Sequence, residues 1–95
     1  MTKLDIINEV SNMTGFSKVE TELIFESIIK SIKISLSNGK RIDIRGFGSF
    51  LVKKRNARKA RNPATNVVIN LEDRYIPTFK VSNLLKEYVD KSIKS

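Results

Sequence analysis

Between Lys53 and Arg61 the chain reads KKRNARKAR, six cations in nine residues with two alanines as the only apolar side chains. Such a segment has nothing to bury, so it cannot pack on a core and must project from the body. The residues after it make it the outgoing limb of a hairpin. Asn62-Pro63-Ala64-Thr65-Asn66 is a cluster of turn formers, and Val67-Val68-Ile69-Asn70-Leu71 has β propensity. Tyr75-Ile76-Pro77-Thr78-Phe79-Lys80-Val81 reads as a strand returning to the core, with Pro77 at an edge or a bulge. About ten residues per limb, at ~3.3 Å each, give an arm on the order of 30 Å long over residues 53–74. An isolated two-stranded ribbon is marginal in water, so the arm is expected to be mobile until a ligand covers it.

The flanking segments are helical or core-forming. Thr2 is an N-cap with Asp5 three residues on, and Leu4, Ile7, Val10 and Met13 follow along one helix face until Gly15 ends it. Ser17-Lys18-Val19-Glu20 reads as a second capping box opening a longer helix, whose apolar stripe runs through Leu23, Ile24, Ile28, Ile29, Ile32 and Leu36 to a stop at Asn38-Gly39. That stripe is wider than one short helix can cover, which fits a face shared with another subunit. From Arg41 to Arg45 the period becomes two, Gly46-Phe47-Gly48 reads as a turn, and Ser49 to Lys54 resumes a strand with Phe50 and Val52 on one face. Ser82 caps a last helix carrying Leu84, Leu85, Tyr88 and Val89 toward Ile93. The expected class is α+β in a single domain, residues 1–95. It has a helical base over about 1–39, a sheet and arm over about 40–81, and a C-terminal helix over about 82–93.

Charge and inventory narrow the function. Residues 40–61 hold nine cations against one anion, while the rest of the chain balances nine against nine, so the whole net charge of +8 sits in that window. A charge run is ordinarily a solvated surface. This one lies between structured segments, which favours a polyanion site that gains affinity by releasing counterions from a nucleic-acid backbone. With no Cys and no His there are no thiol nucleophiles, no Cys/His zinc sites and no imidazole catalysis. The carboxylates are scattered and no Gly-rich phosphate loop precedes a helix, so an enzyme is the least favoured class, and neither a cofactor nor a small-molecule substrate is expected. The apolar runs are too short to span a membrane and the N-terminus lacks a signal core, so the expectation is a cytoplasmic protein that acts without a membrane.

Three ordered motifs carry a family resemblance: Gly46-Phe47-Gly48-Ser49-Phe50, Arg61-Asn62-Pro63-Ala64-Thr65, and Pro77-Thr78-Phe79-Lys80 leading to a helix with Leu85-Lys86. Along nearly its whole length the chain resembles the bacterial HU and integration host factor proteins. The stretch Arg41 to Phe50, with Tyr75-Ile76-Pro77, looks most like the integration host factor β subunit. The resemblance implies an intertwined dimer, either a homodimer or a heterodimer with a related subunit, which acts in the bacterial nucleoid. Its arms would follow the minor groove of double-stranded DNA and bend it, each tip wedging a proline between base pairs. Pro63 matches the intercalating proline, with Arg61 and Asn62 its tip neighbours, and Lys53, Lys54, Arg55, Arg58 and Lys59 match arm positions that contact phosphate and groove. Asp43 and Arg45 match residues that help select sequence beside the body. Here Asn66 stands where the family usually has a tip glycine, Ala60 replaces the glycine before Arg61, and Val81-Ser82-Asn83 replaces the usual Pro-Gly-Lys.

Other residues admit plainer readings. Gly46 and Gly48 are expected to serve turn geometry first, with backbone N–H groups that reach a phosphate second. Phe47, Phe50 and Phe79 alternate with polar neighbours, so they are assigned to core or dimer packing rather than base stacking. Lys3 and Lys86 are solvent cations that would touch flanking phosphates. Three readings follow: site-selective bending like integration host factor, sequence-tolerant packaging by an HU-like homodimer, and an RNA-binding basic module.

Overall fold

The computed structural model describes all 95 residues, Met1–Ser95. The elements are α1 (Lys3–Thr14), α2 (Lys18–Ser37), β1 (Ile42–Ile44), β2 (Gly48–Arg55), β3 (Arg58–Arg61), β4 (Val68–Leu71), β5 (Arg74–Val81) and α3 (Asn83–Lys94). This is the expected α+β order. The chain divides into two compact units, Met1–Ser35 and Leu36–Ser95.

In the first unit the cap of α1 forms as the sequence implies. The Asp5 N–H donates to Thr2 Oγ1 (3.3 Å) and the Thr2 N–H donates to Asp5 Oδ2 (2.9 Å), satisfying two of the orphan donors at the helix start. Gly15 ends the helix at φ 80°, its N–H donating to Ser11 O, because the left-handed position suits a residue without Cβ. Only half of the second box forms. The Glu20 N–H donates to Ser17 Oγ (3.1 Å), but the Glu20 carboxylate accepts from the Ser17 hydroxyl (2.9 Å). Ile7 is the one apolar side chain buried here; Thr21 is also buried, its hydroxyl donating to Ser17 O (2.8 Å). Leu4, Leu23 and Ile28 stay 63%, 68% and 54% exposed.

The second unit is built on an antiparallel sheet of order β1-β2-β5, which leaves β5 and its Pro77 at an edge, where a missing N–H is tolerated. Phe79 lies between Phe50 and Phe47, with ring centroids 4.8 and 5.5 Å away, so these three rings pack on each other. The turn comprises Arg45, Gly46 and Phe47, and Gly46 supplies its positive φ of 81°. Gly48 is not a turn residue. It opens β2, and a Cβ there would lie 2.5 Å from both Lys80 O and the Phe79 ring, so close packing rather than backbone twist demands glycine. Ser82 caps α3 by accepting from the Leu85 N–H (3.0 Å), and its own N–H donates to Phe47 O (2.9 Å), which ties the turn to the helix start.

The chain exposes far more surface than its mass warrants. A compact monomer of 10.8 kDa presents about 5,500 Å²; this chain presents 8206 Å². Part of the excess is the arm. Exposed apolar side chains add to it on α2, with Leu23 and Ile28, and on α3, where Leu84, Tyr88 and Ile93 are all exposed. Apolar area on this scale needs a covering partner. A partner subunit makes stability depend on concentration, so tenfold dilution of the purified chain should lower Tm by roughly 3–6 °C. A Tm independent of concentration would show that no subunit covers these faces.

Candidate nucleic-acid interface

The basic strip lies on one continuous hairpin. β2 pairs with β5 from Gly48↔Val81 to Arg55↔Arg74, and β3 pairs with β4 from Arg58↔Leu71 to Arg61↔Val68, in the same register on both sides of a short gap. Asn56 and Ala57 on one limb, Glu72 and Asp73 on the other, are the skipped residues. All six arm cations, Lys53, Lys54, Arg55, Arg58, Lys59 and Arg61, are exposed, as expected of a segment whose only apolar side chains are two alanines.

Period two sorts them onto faces. In β2, Lys53 and Arg55 point one way and Lys54 the other; in β3, Lys59 and Arg61 share a face opposite Arg58 and Ala60. The register also shows a cation outside the 40–61 window. Arg74 stands directly across from Arg55, both exposed. Like charges directly opposite destabilise a free ribbon, and an anion between them removes that cost. Tracing pairs back from the Asn62–Asn66 turn is the sequence signal that would have found Arg74.

At the tip Pro63 is exposed, at the start of the turn Pro63-Ala64-Thr65. Asn62 builds that turn. Its N–H donates to Val67 O (2.9 Å), its carbonyl accepts from the Asn66 N–H (2.7 Å), and its side-chain Oδ1 accepts from the Ala64 N–H (2.9 Å). Asn66 sits at φ 59°, the left-handed position where a glycine is usual and where Asn is among the best tolerated alternatives.

Below the arm, the sheet carries an open groove of about 480 Å³ lined by Arg41, Asp43, Arg45, Ser49, Lys80 and Asn83, and by Gly46 and Gly48. Asp43 and Ser49 are cross-strand partners. The Asp43 Oδ1 accepts from Ser49 Oγ (2.5 Å) and from Arg41 Nε (2.9 Å), so the residue this carboxylate holds is Arg41, and not Arg45. Those bonds, the one from Ser49 first, hold the Asp43 carboxyl below its ordinary pKa. Sequence reasoning passed over Arg41, although the spacing to Asp43 puts both on one face.

Two expected contacts lie on helices. Lys86 is exposed on α3. Lys3 opens α1 and is not a free cation: its Nζ donates to Glu26 Oε1 (2.5 Å), which raises the lysine pKa. No cluster of His, Cys, Asp or Glu suits a metal ion, and no helix is long and apolar enough to cross a membrane.

A helical hairpin followed by a sheet that extends into a cationic, proline-tipped ribbon defines a β-ribbon protein of the nucleic-acid-binding class. Residues 1–90 match the family model described as bacterial DNA-binding protein, and the chain belongs to that family, the HU and integration host factor proteins. It is similar to the integration host factor subunit alpha of Anaeromyxobacter sp. (strain Fw109-5), 41% identical over 97% of this chain and 93% of that protein. The DNA-binding protein HU of Thermotoga maritima is 40% identical over 94% and 99%. The integration host factor subunit beta of Marinobacter nauticus is 41% identical over 99% and 97%. Among solved structures, an Anabaena HU–DNA cocrystal structure superposes with a TM-score of 0.86 at 28% identity, covering 94% of this chain and 97% of that one. The family binds and bends DNA and is not enzymatic. The near-equal identities leave the two branches undivided, so the resemblance to the β subunit noted in the sequence does not extend to overall identity.

The Asp43 network makes a pH-dependent prediction. A depressed carboxyl pKa contributes stability above the unfolded-state pKa, and that contribution is lost as pH falls through the lower folded-state value. Ser49→Ala should therefore raise the Asp43 pKa toward the ordinary carboxylate value and shrink the part of the stability that this carboxyl loses on acidification. Carboxyl NMR titration of both proteins checks this, and an unmoved Asp43 would show that Ser49 does not set it.

Proposed function

We propose that the whole chain works as one architectural domain that grips a DNA duplex with its ribbon and bends it, as a dimer with a second copy or a related subunit, in the bacterial nucleoid. The observation that carries this reading is the exposed ribbon whose cations surround an exposed tip proline. Lys53, Lys54, Arg55, Arg58, Lys59 and Arg61 take phosphate and groove contacts, and counterion release from the backbone supplies most of the affinity. Pro63 is the wedge, and the hydrogen bonds of Asn62 support it by fixing the turn. Unstacking a base step costs roughly a few kcal/mol, and the bent duplex offsets this by meeting more cationic surface. Gly46 and Gly48 bring backbone near the flanking duplex, while Lys3 and Lys86 meet its outer phosphates. Nucleoid organisation and the assembly of replication, recombination or transcription complexes are the processes such bending serves.

Between the two modes of the family we favour site-selective bending of the integration host factor kind over sequence-tolerant packaging. The supporting observation is the Arg41–Asp43–Ser49 network beside Arg45 in the groove, since a guanidinium held by partners presents its donors in a fixed direction. Selection from random duplexes should then enrich a motif, and an unenriched pool would assign the chain to packaging.

Bending is tested by paired FRET and affinity measurements on one duplex. Pro63→Ala should reduce the bend while changing affinity by less than about tenfold, ~1.4 kcal/mol. An unchanged bend angle would reject the wedge.

A further inference from the structure

The gap in the arm's ladder is bridged by one side chain. Asp73, among the skipped residues on the returning limb, uses its two carboxylate oxygens differently. Oδ1 accepts from the backbone N–H of Ala57 on the opposite limb, and Oδ2 lies 3.7 Å from Lys54 Nζ. Lys54 pairs with Tyr75, so Asp73 is its diagonal neighbour across the hairpin. Glu72 and Asp73 are the only anions from Lys53 to Val81. Each opposes a polyanion by about one charge, so an acidic side chain here weakens DNA binding unless it contributes in another way.

We propose that Asp73 is a positioning residue for DNA bending: its carboxylate clasps the two limbs across the Asn56–Ala57 gap and holds the outer ribbon, with its tip, in line with the sheet. This rests on the bending function proposed above. Magnitudes identify which oxygen matters. The Lys54–Asp73 pair is long and about half exposed (49% and 51%), so it contributes little and yields readily to a phosphate. The Ala57 amide donates to an acceptor already seated within the ribbon, so a phosphate oxygen that sought the same donor would first have to displace Asp73 Oδ1. On DNA binding, Lys54 passes from Asp73 to the duplex while Oδ1 keeps the joint closed. A closed joint transmits force from β2 and β5 to Pro63; an open one lets the tip swing and the bend angle spread.

Two isocharge variants separate the clasp from the charge. Asp73→Asn removes the anion but keeps an acceptor oxygen at the same reach, and Asp73→Ala removes both. In the full-length protein without DNA, amide exchange at Ala57 should be faster by about five- to tenfold in Asp73→Ala, and near the wild-type rate in Asp73→Asn. On saturating duplex, FRET should give a reduced or broadened bend for Asp73→Ala and the wild-type bend for Asp73→Asn. Equal Ala57 exchange in the two variants would overturn the clasp. Equal bends with unequal exchange would overturn its positioning role and leave the clasp as a feature of the free arm. If the wild-type protein bound the duplex without bending it, the functional reading would fail instead, and the exchange comparison would still decide the clasp.

Discussion

An antiparallel register that runs unchanged from Gly48↔Val81 to Arg61↔Val68 determines where every charge on the arm lies. In a two-stranded ribbon no third layer corrects a slip, and a shift of one residue would reverse all the faces. The register is therefore pinned at its ends. At the inner end Gly48 admits the Lys80 carbonyl and the Phe79 ring, which no larger residue allows. At the outer end Asn62 closes the hairpin with backbone and side-chain bonds, and Asn66 takes the left-handed position that completes it. Beyond the Phe50–Phe79 pair and the half-buried Leu51 and Val52 the limbs carry little that packs, and the arm is a ladder of hydrogen bonds holding out cations.

The same economy explains why the chain looks incomplete alone. With Ile7 as its one buried apolar side chain, it leaves the stripe on α2 and the apolar side of α3 open. A domain of this size buries too little to be comfortable by itself, and a subunit interface supplies what the core lacks. The division of labour is between apolar faces that call for a partner and a polar arm that calls for an anion. The Arg55–Arg74 pair belongs to the second demand: two like charges stand directly opposite each other in the free ribbon.

Much of this was legible before any coordinates. The caps at Thr2 and Ser82, the stop at Gly15, the edge position of Pro77 and the exposure of the arm all follow from short-range chemistry, in which a residue's neighbours along the chain decide its state. The misses share a cause. Gly48 reads as a turn glycine until the strand beside it is known, Arg74 falls outside a window drawn along the sequence, and Asp43 gains Ser49 as a partner only through the pairing of β1 with β2. Lys3 likewise reads as a free cation because Glu26, its partner, is on the next helix.

What the sequence determined by itself was the architecture and the place of the charge: periodicity and turn chemistry are local, and nine of the eighteen cations fall in one window whatever the fold. What only the tertiary structure decided was which groups face each other. Cross-strand partners far apart in the chain meet through register alone, so the Arg55–Arg74 repulsion, the bond from Ser49 to Asp43 and the bridge from Asp73 to Ala57 exist only once two limbs are laid side by side.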